Sequence, residues 1–185
     1  MERTALVLLA EGFEEVEAVT PIDYLRRAGI GVTVAAVGES LAVRGARGIT
    51  VSADVALKDL CAAENLWDAV VVPGGMPGAP NIAASREACA LIARMAAAGK
   101  LVCAICASPA MVLAPLGLLA GRKFTCYPGF EGQVSGGEWL AQSVVIDGNI
   151  VTSRGAGTSG LFSVAIVAAL LGEEQGEKVA KAVLL

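Results

Sequence analysis

The chain has 185 residues, of which 55% are hydrophobic and 17% charged, with a formal net charge of -4 from 14 Lys plus Arg against 18 Asp plus Glu. That apolar content supplies a core and excludes a disordered chain, and the lack of basic excess excludes the electrostatic footprint of a nucleic-acid binder. Histidine is absent, so any Ser-His, Cys-His or His-ligated metal chemistry within one chain is excluded.

In chain order, Ala5 to Leu9 reads as a buried strand. Glu14 to Ala28 has Val16, Val19, Leu25 and Ala28 at helical spacing, and Gly29 follows as a terminator. Val32 to Val37 is β-branched and strand-like, and residues 41–56 alternate weakly around Gly45 and Gly48, as a small hairpin would. Ala69 to Val72 is a buried strand closed by Pro73-Gly74-Gly75. Ser85 to Ala98 is helical, with Ser85 as N-cap and Gly99 as terminator. Leu101 to Ile105 is a strand, and Ala107 to Leu113 opens another helix. Residues 122–153 hold short strands, with Ser143 to Ile146 and Ile150 to Ser153 flanking the turn pair Asp147-Gly148. Thr158 to Leu171 and Glu173 to Leu184 close the chain as helices.

Strand and helix alternate without a linker or repeat, which predicts a single α/β domain over residues 1–185 with a mostly parallel sheet. The uncharged run Leu101 to Gly121 nears membrane-span length, but Pro109 and Pro115 interrupt it. It reads as strand, turn and packed helix inside a sheet covered on both faces, and no membrane partner is expected. The N-terminus lacks the long apolar segment of a signal peptide. Five cysteines at irregular spacing are no disulfide framework, so a reduced, cytoplasmic setting is expected.

Ligands of such sheets bind beyond the carboxyl ends of the strands. The loops there are Glu11 to Glu17, Pro73 to Pro80, Cys106 to Pro109, Tyr127 to Phe130 and Arg154 to Thr158. The most informative is the elbow in Leu101-Val-Cys-Ala-Ile-Cys106-Ala-Ser-Pro109. A strand runs into a helix with a thiol at the junction and small residues, Ala104 and Ser108, two positions either side. A helix N-terminus there predicts a thiol pKa below the ordinary ~8.5. Cys103 reads as a buried strand residue, facing away from Cys106 if the strand persists. Cys61, Cys89 and Cys126 read as structural or incidental.

Without His, the proton partner of Cys106 is a carboxylate from Glu11, Glu14, Glu15 or Glu17, among which composition does not choose. Gly74-Gly75 lets backbone approach a ligand, and with the Ala107 N–H it can form an oxyanion hole or be an ordinary tight turn. Arg154-Gly155-Ala156-Gly157-Thr158 precedes a helix and is a weak candidate for holding an anion.

Four segments, Glu14-Glu-Val-Glu-Ala-Val-Thr-Pro21, Val70-Val-Val-Pro-Gly-Gly75, Ala104-Ile-Cys-Ala-Ser-Pro109 and Thr152-Ser-Arg-Gly-Ala-Gly-Thr158, occur in an order and spacing that resemble the ThiJ/PfpI family and its DJ-one branch. The resemblance spans nearly the whole chain. It implies a flavodoxin-like three-layer α/β sandwich, usually a homodimer, without cofactor or metal. It puts the family's reactive cysteine on Cys106, its glutamate on Glu17, and the backbone donors on Gly75 and Ala107. Gly74, Tyr127, Arg154 and Gly155 form the expected secondary pocket. Tyr127 stands where many relatives carry His, which counts against a peptidase or amidotransferase. The implied activity is a glutathione-independent glyoxalase or deglycase acting on a small aldehyde or dicarbonyl. The alternative is an oxidative-stress sensor or redox-regulated chaperone in which Cys106 goes to sulfinic acid.

Overall fold

The computed structural model describes residues 2–60 and 66–185. Cys61 therefore lies outside the described residues. The elements are β1 (Thr4–Leu9), α1 (Glu15–Arg27), β2 (Gly31–Ala36), β3 (Ala42–Arg44), β4 (Thr50–Ser52), β5 (Val55–Ala56), α2 (Leu57–Leu60) and β6 (Ala69–Val72). Then come α3 (Gly78–Ala84), α4 (Arg86–Ala97), β7 (Leu101–Ile105), β8 (Lys123–Phe124), β9 (Glu138–Trp139), β10 (Val144–Asp147), β11 (Ile150–Ser153), α5 (Ser159–Leu171) and α6 (Glu173–Ala182).

The central sheet runs β10-β11-β7-β6-β1-β2-β5. Every pairing in it is parallel except β10 with β11. β1 is wholly apolar after Thr4 because it is covered on both faces. Its side chains alternate between two cores. Ala5, Val7 and Leu9 join Leu25, Phe162 and Ile166 under α1 and α5, while Leu6, Leu8 and Ala10 join Ile82, Leu91, Ile92 and Met95 under α3 and α4. The result is the flavodoxin-like three-layer sandwich that the resemblance implies. Among the described residues no helix is long and apolar enough to cross a membrane.

Local signals explain most boundaries. Ser85 caps α4 by accepting the Ala88 N–H at 3.1 Å, and Gly29 and Gly99 close α1 and α4 with positive φ. Two expectations need correction. The loop Pro73 to Pro80 is not all loop: α3 starts at Gly78, in a stretch whose Pro and Gly content masks helical structure. The helix expected over Ala107 to Leu113 is a five-residue π-helix, Pro109–Leu113, followed by turns. It is too short to bring a full helix dipole to bear on Cys106.

Candidate active site

β7 ends at Ile105, and Cys106 turns the chain with φ of 65°, a left-handed conformation rare for a residue with a Cβ. Three bonds hold this strained elbow. The Cys106 N–H donates to Ser153 O at 3.0 Å and the Tyr127 N–H to Cys106 O at 2.8 Å. The buried Ser108 hydroxyl donates to Pro73 O at 2.6 Å. Because the strand stops there, Cys106 does not face away from Cys103: it packs against the same core layer.

The small residues around Cys106 are steric requirements. A Cβ on Gly74 would sit 2.7 Å from both Cys106 Cβ and Glu17 Oε2. Gly75 has φ of 96°, and a Cβ there would collide with the backbone of Gly12 and Glu14. Gly74 lets the β6–α3 turn press against the elbow, and Gly75 lets it press against the β1–α1 loop. The Gly75 and Ala107 N–H groups are then directed at the Cys106 sulfur.

The four glutamates of the first loop separate by role. Glu11 Oε2 accepts the Arg44 N–H at 3.1 Å. Glu15 is buried and accepts the Arg47 and Ile49 N–H groups at 2.7 and 3.2 Å, tying the β3–β4 hairpin tip to α1. Glu14 pairs with the Arg47 guanidinium at 3.5 Å. Glu17, 1% exposed, turns inward: its Oε2 accepts the Gly74 N–H at 2.9 Å and its carboxyl is hydrogen-bonded with Cys106. Among the described residues no cation pairs with it.

Burial pushes the Glu17 carboxyl up to about 7, against the pull of the Cys106 and Gly74 hydrogen bonds and helped by the nearby Glu14 charge. Burial and the Glu17 charge push the Cys106 thiol up to about 12, and the Ala107 and Gly75 amides only partly offset them. This corrects the expectation of a lowered thiol. The helix meant to lower it is one short π-turn, and the carboxylate beside it opposes a second negative charge. Cys106 and Glu17 therefore titrate as a coupled pair that gains its first negative charge as pH passes through about 7 and resists a second.

A cavity of about 410 Å³ opens over the pair, lined by Glu14, Glu17, Ala46, Arg47, Gly75, Met76, Cys106, Ala107, Tyr127, Phe130 and Ala156. The structure thus brings together Cys106, Glu17, Gly75, Ala107 and Tyr127. Gly74 sits behind Glu17, and Gly155 lies under the Tyr127 ring. Arg154 does not line the cavity; it lies beside Cys126, whose buried thiol it draws down while burial and Glu131 hold it up at about 11. Sequence reasoning missed Ala46 and Arg47, whose hairpin tip arrives through the Glu15 tether. Among the described residues, Cys89, Cys103, Cys106 and Cys126 are free thiols.

The sequence model of the DJ-1/PfpI family matches residues 3–169. The chain belongs to the DJ-1/PfpI family. It is 43% identical to protein DJ-1 homolog B of Arabidopsis thaliana over 180 residues, 97% of this chain and 41% of that protein. The chain therefore spans less than half the length of that relative. It is 38% identical to protein dj-1beta of Drosophila melanogaster, covering 100% of this chain and 98% of that one. A protein named deglycase from Pyrococcus abyssi is 36% identical over 152 residues, 80% of this chain and 88% of that one. In structure, oxidized Toxoplasma gondii DJ-1 superposes with a TM-score of 0.95 at 39% identity, covering 98% of each chain.

Proposed function

We propose that this DJ-1/PfpI chain is a cofactor-independent glyoxalase or deglycase acting on small reactive dicarbonyls, with Cys106 as nucleophile and Glu17 as general acid and base. The observation that carries the reading is the Cys106–Glu17 contact: an uncharge-paired carboxyl, raised to about 7, hydrogen-bonded to a thiol on a strained elbow at the floor of a cavity. The deglycase name of the Pyrococcus relative supports the deglycase form of this reading.

In the singly charged pair, the thiol proton passes to Glu17 and leaves a thiolate. The thiolate sulfur bonds to the aldehyde carbon of methylglyoxal, and the carbonyl electron pair moves to oxygen. The Gly75 and Ala107 N–H groups face that oxygen, which takes the proton from Glu17. Glu17, now a carboxylate, removes the remaining hydrogen of that carbon as a proton and passes it to the neighbouring carbonyl oxygen, whose electron pair has accepted the charge, so that an enediol forms. The adjacent carbon regains a proton and the first hydroxyl loses one, leaving a thioester. One carbon is oxidised and its neighbour reduced, so no external oxidant enters. Water then cleaves the thioester, releases lactate and restores the thiol.

The test is conversion of methylglyoxal to lactate without glutathione, followed by NMR. Cys106→Ser and Glu17→Gln should each lower turnover by roughly a hundredfold or more. A folded wild-type protein with no turnover overturns the reading. A second reading, Cys106 as an oxidation sensor, is supported by the two amides directed at its sulfur, and by the relative whose structure is described as oxidized. Peroxide with intact-mass readout separates them, since a sensor requires Cys106 to oxidise faster than the other thiols. The homodimer implied by the resemblance is tested by light scattering of the full chain.

A further inference from the structure

The cavity over Cys106 is larger and more apolar on one side than methylglyoxal needs. At about 410 Å³ it falls in the ~300–1,000 Å³ range of sites that enclose drug-sized molecules. Its charged side is already occupied by the Glu14–Arg47 pair. Its other side is an apolar wall of Met76, 56% exposed, Tyr127, 50% exposed, and Phe130. The wall is built rather than incidental. The Tyr127 N–H is bonded to Cys106 O, and the Phe130 N–H to Tyr127 O at 3.1 Å, so the backbone that carries both rings is tied to the elbow. The rings meet edge to face at 6.2 Å and 81°. Behind them Gly155 is bare: a Cβ there would come within 3.3 Å of the Tyr127 ring. Large apolar side chains left open to solvent beside a nucleophile mark a contact surface for the non-reacting part of a substrate.

We propose that Tyr127 and Phe130 form an apolar subsite that selects dicarbonyls bearing an aromatic or bulky apolar substituent. The inference rests on the proposed chemistry at Cys106 and names its substrate class. An aryl group would lie against the Tyr127 ring and exclude water from Cys106 while the vicinal dicarbonyl meets the sulfur and the two amides. Such a contact, from apolar burial and ring packing together, corresponds to about a tenfold preference.

Phenylglyoxal, cyclohexylglyoxal and methylglyoxal differ in intrinsic reactivity, so the deciding quantity is how their kcat/KM ratios change on mutation. Tyr127→Ala should lower the phenylglyoxal-to-methylglyoxal ratio about tenfold, mainly through KM, while Tyr127→Phe keeps it. Phe130→Ala should lower it less, because that ring is partly buried. Retention of the cyclohexylglyoxal preference in wild type assigns the effect to apolar burial, and its loss assigns it to ring packing; either supports the subsite. A ratio unchanged within twofold in folded Tyr127→Ala overturns it. A second measurement does not need turnover. Acetophenone, unreactive toward the thiol, should slow iodoacetamide alkylation of Cys106 more than acetone does, and Tyr127→Ala should remove the difference. Absent methylglyoxal turnover with Tyr127-dependent protection rejects the enzyme and keeps the subsite. Turnover without such protection rejects the subsite alone.

Discussion

Strand β6 carries a carboxylate arrangement at each end, and the two are opposites. At its start, Asp68 accepts the Thr4 N–H at 3.0 Å, Arg3 at 3.2 Å and Lys100 at 3.1 Å. Burial alone would raise its pKa, but these partners bring it below the ordinary carboxylate value. Just past its end, the Gly74 N–H meets Glu17, which has a thiol and one amide but, among the described residues, no cation, and burial raises it to about 7. The same sheet end-capped twice yields one satisfied, stabilising acid and one frustrated acid. This fold carries a cost at the end that faces the cavity, where an acid able to hold and release a proton near neutral pH is useful.

Glu17→Gln should sharpen the contrast most. Glu17 goes from an ordinary value of 4.5 to about 7 on folding, so between those values the folded state binds the extra proton. Its stabilising contribution is therefore full below pH 4.5 and lost as pH rises through 7. Glutamine keeps the shape and an acceptor for Gly74 but never ionises. The variant should lose turnover yet exceed wild type in stability by on the order of 3 kcal/mol at pH 9, and match it near pH 4. Urea unfolding at both pH values reads this. A difference independent of pH would break the contrast.

Asp68→Asn should act with the opposite sign and a smaller size. The lowered pKa means Asp68 stabilises above the ordinary carboxylate range and loses that contribution as pH falls through its folded value. Asparagine weakens the bonds to Lys100 and Arg3, at a cost of about 1–2 kcal/mol at pH 7. The deficit should shrink toward pH 3, and turnover should be untouched. Thermal melts across pH check the trend, and a deficit that grows in acid refutes it.

The contrast also marks what the sequence could reveal. The apolar strands, the Ser85 cap and the small residues around Cys106 were legible because each follows from a local constraint: burial, an orphan N–H, crowding at a turn. The glutamates of the first loop were not separable in sequence. Glu15 and Glu17 lie on one helical turn, and only the hairpin tip on one side and the Gly74 turn on the other give them different work. Arg47 stayed invisible as a cavity residue because β3 and β4 are three residues each and stand apart from the central sheet. The thiol's raised pKa was missed because it depends on burial and on a charge that the first turn of α1 brings to the end of β7.

The smallest effect tests that last point. Glu14 lies close enough to raise Glu17 through its negative charge, and it is paired with Arg47 at 3.5 Å. Glu14→Gln removes a like charge and leaves the Arg47 cation unopposed, and both changes favour ionised Glu17. The inflection in the pH dependence of Cys106 alkylation by iodoacetamide, expected near 7 in wild type, should move down by about 0.3 pH units. Arg47→Gln removes the cation and leaves Glu14 unpaired, so it should move the inflection up by a similar amount. Arg47 is 74% exposed in its side chain, so added salt should compress both shifts toward zero. Two variants moving the same way would mean that the hairpin tip acts on the pair by its position over the cavity and not by its charge.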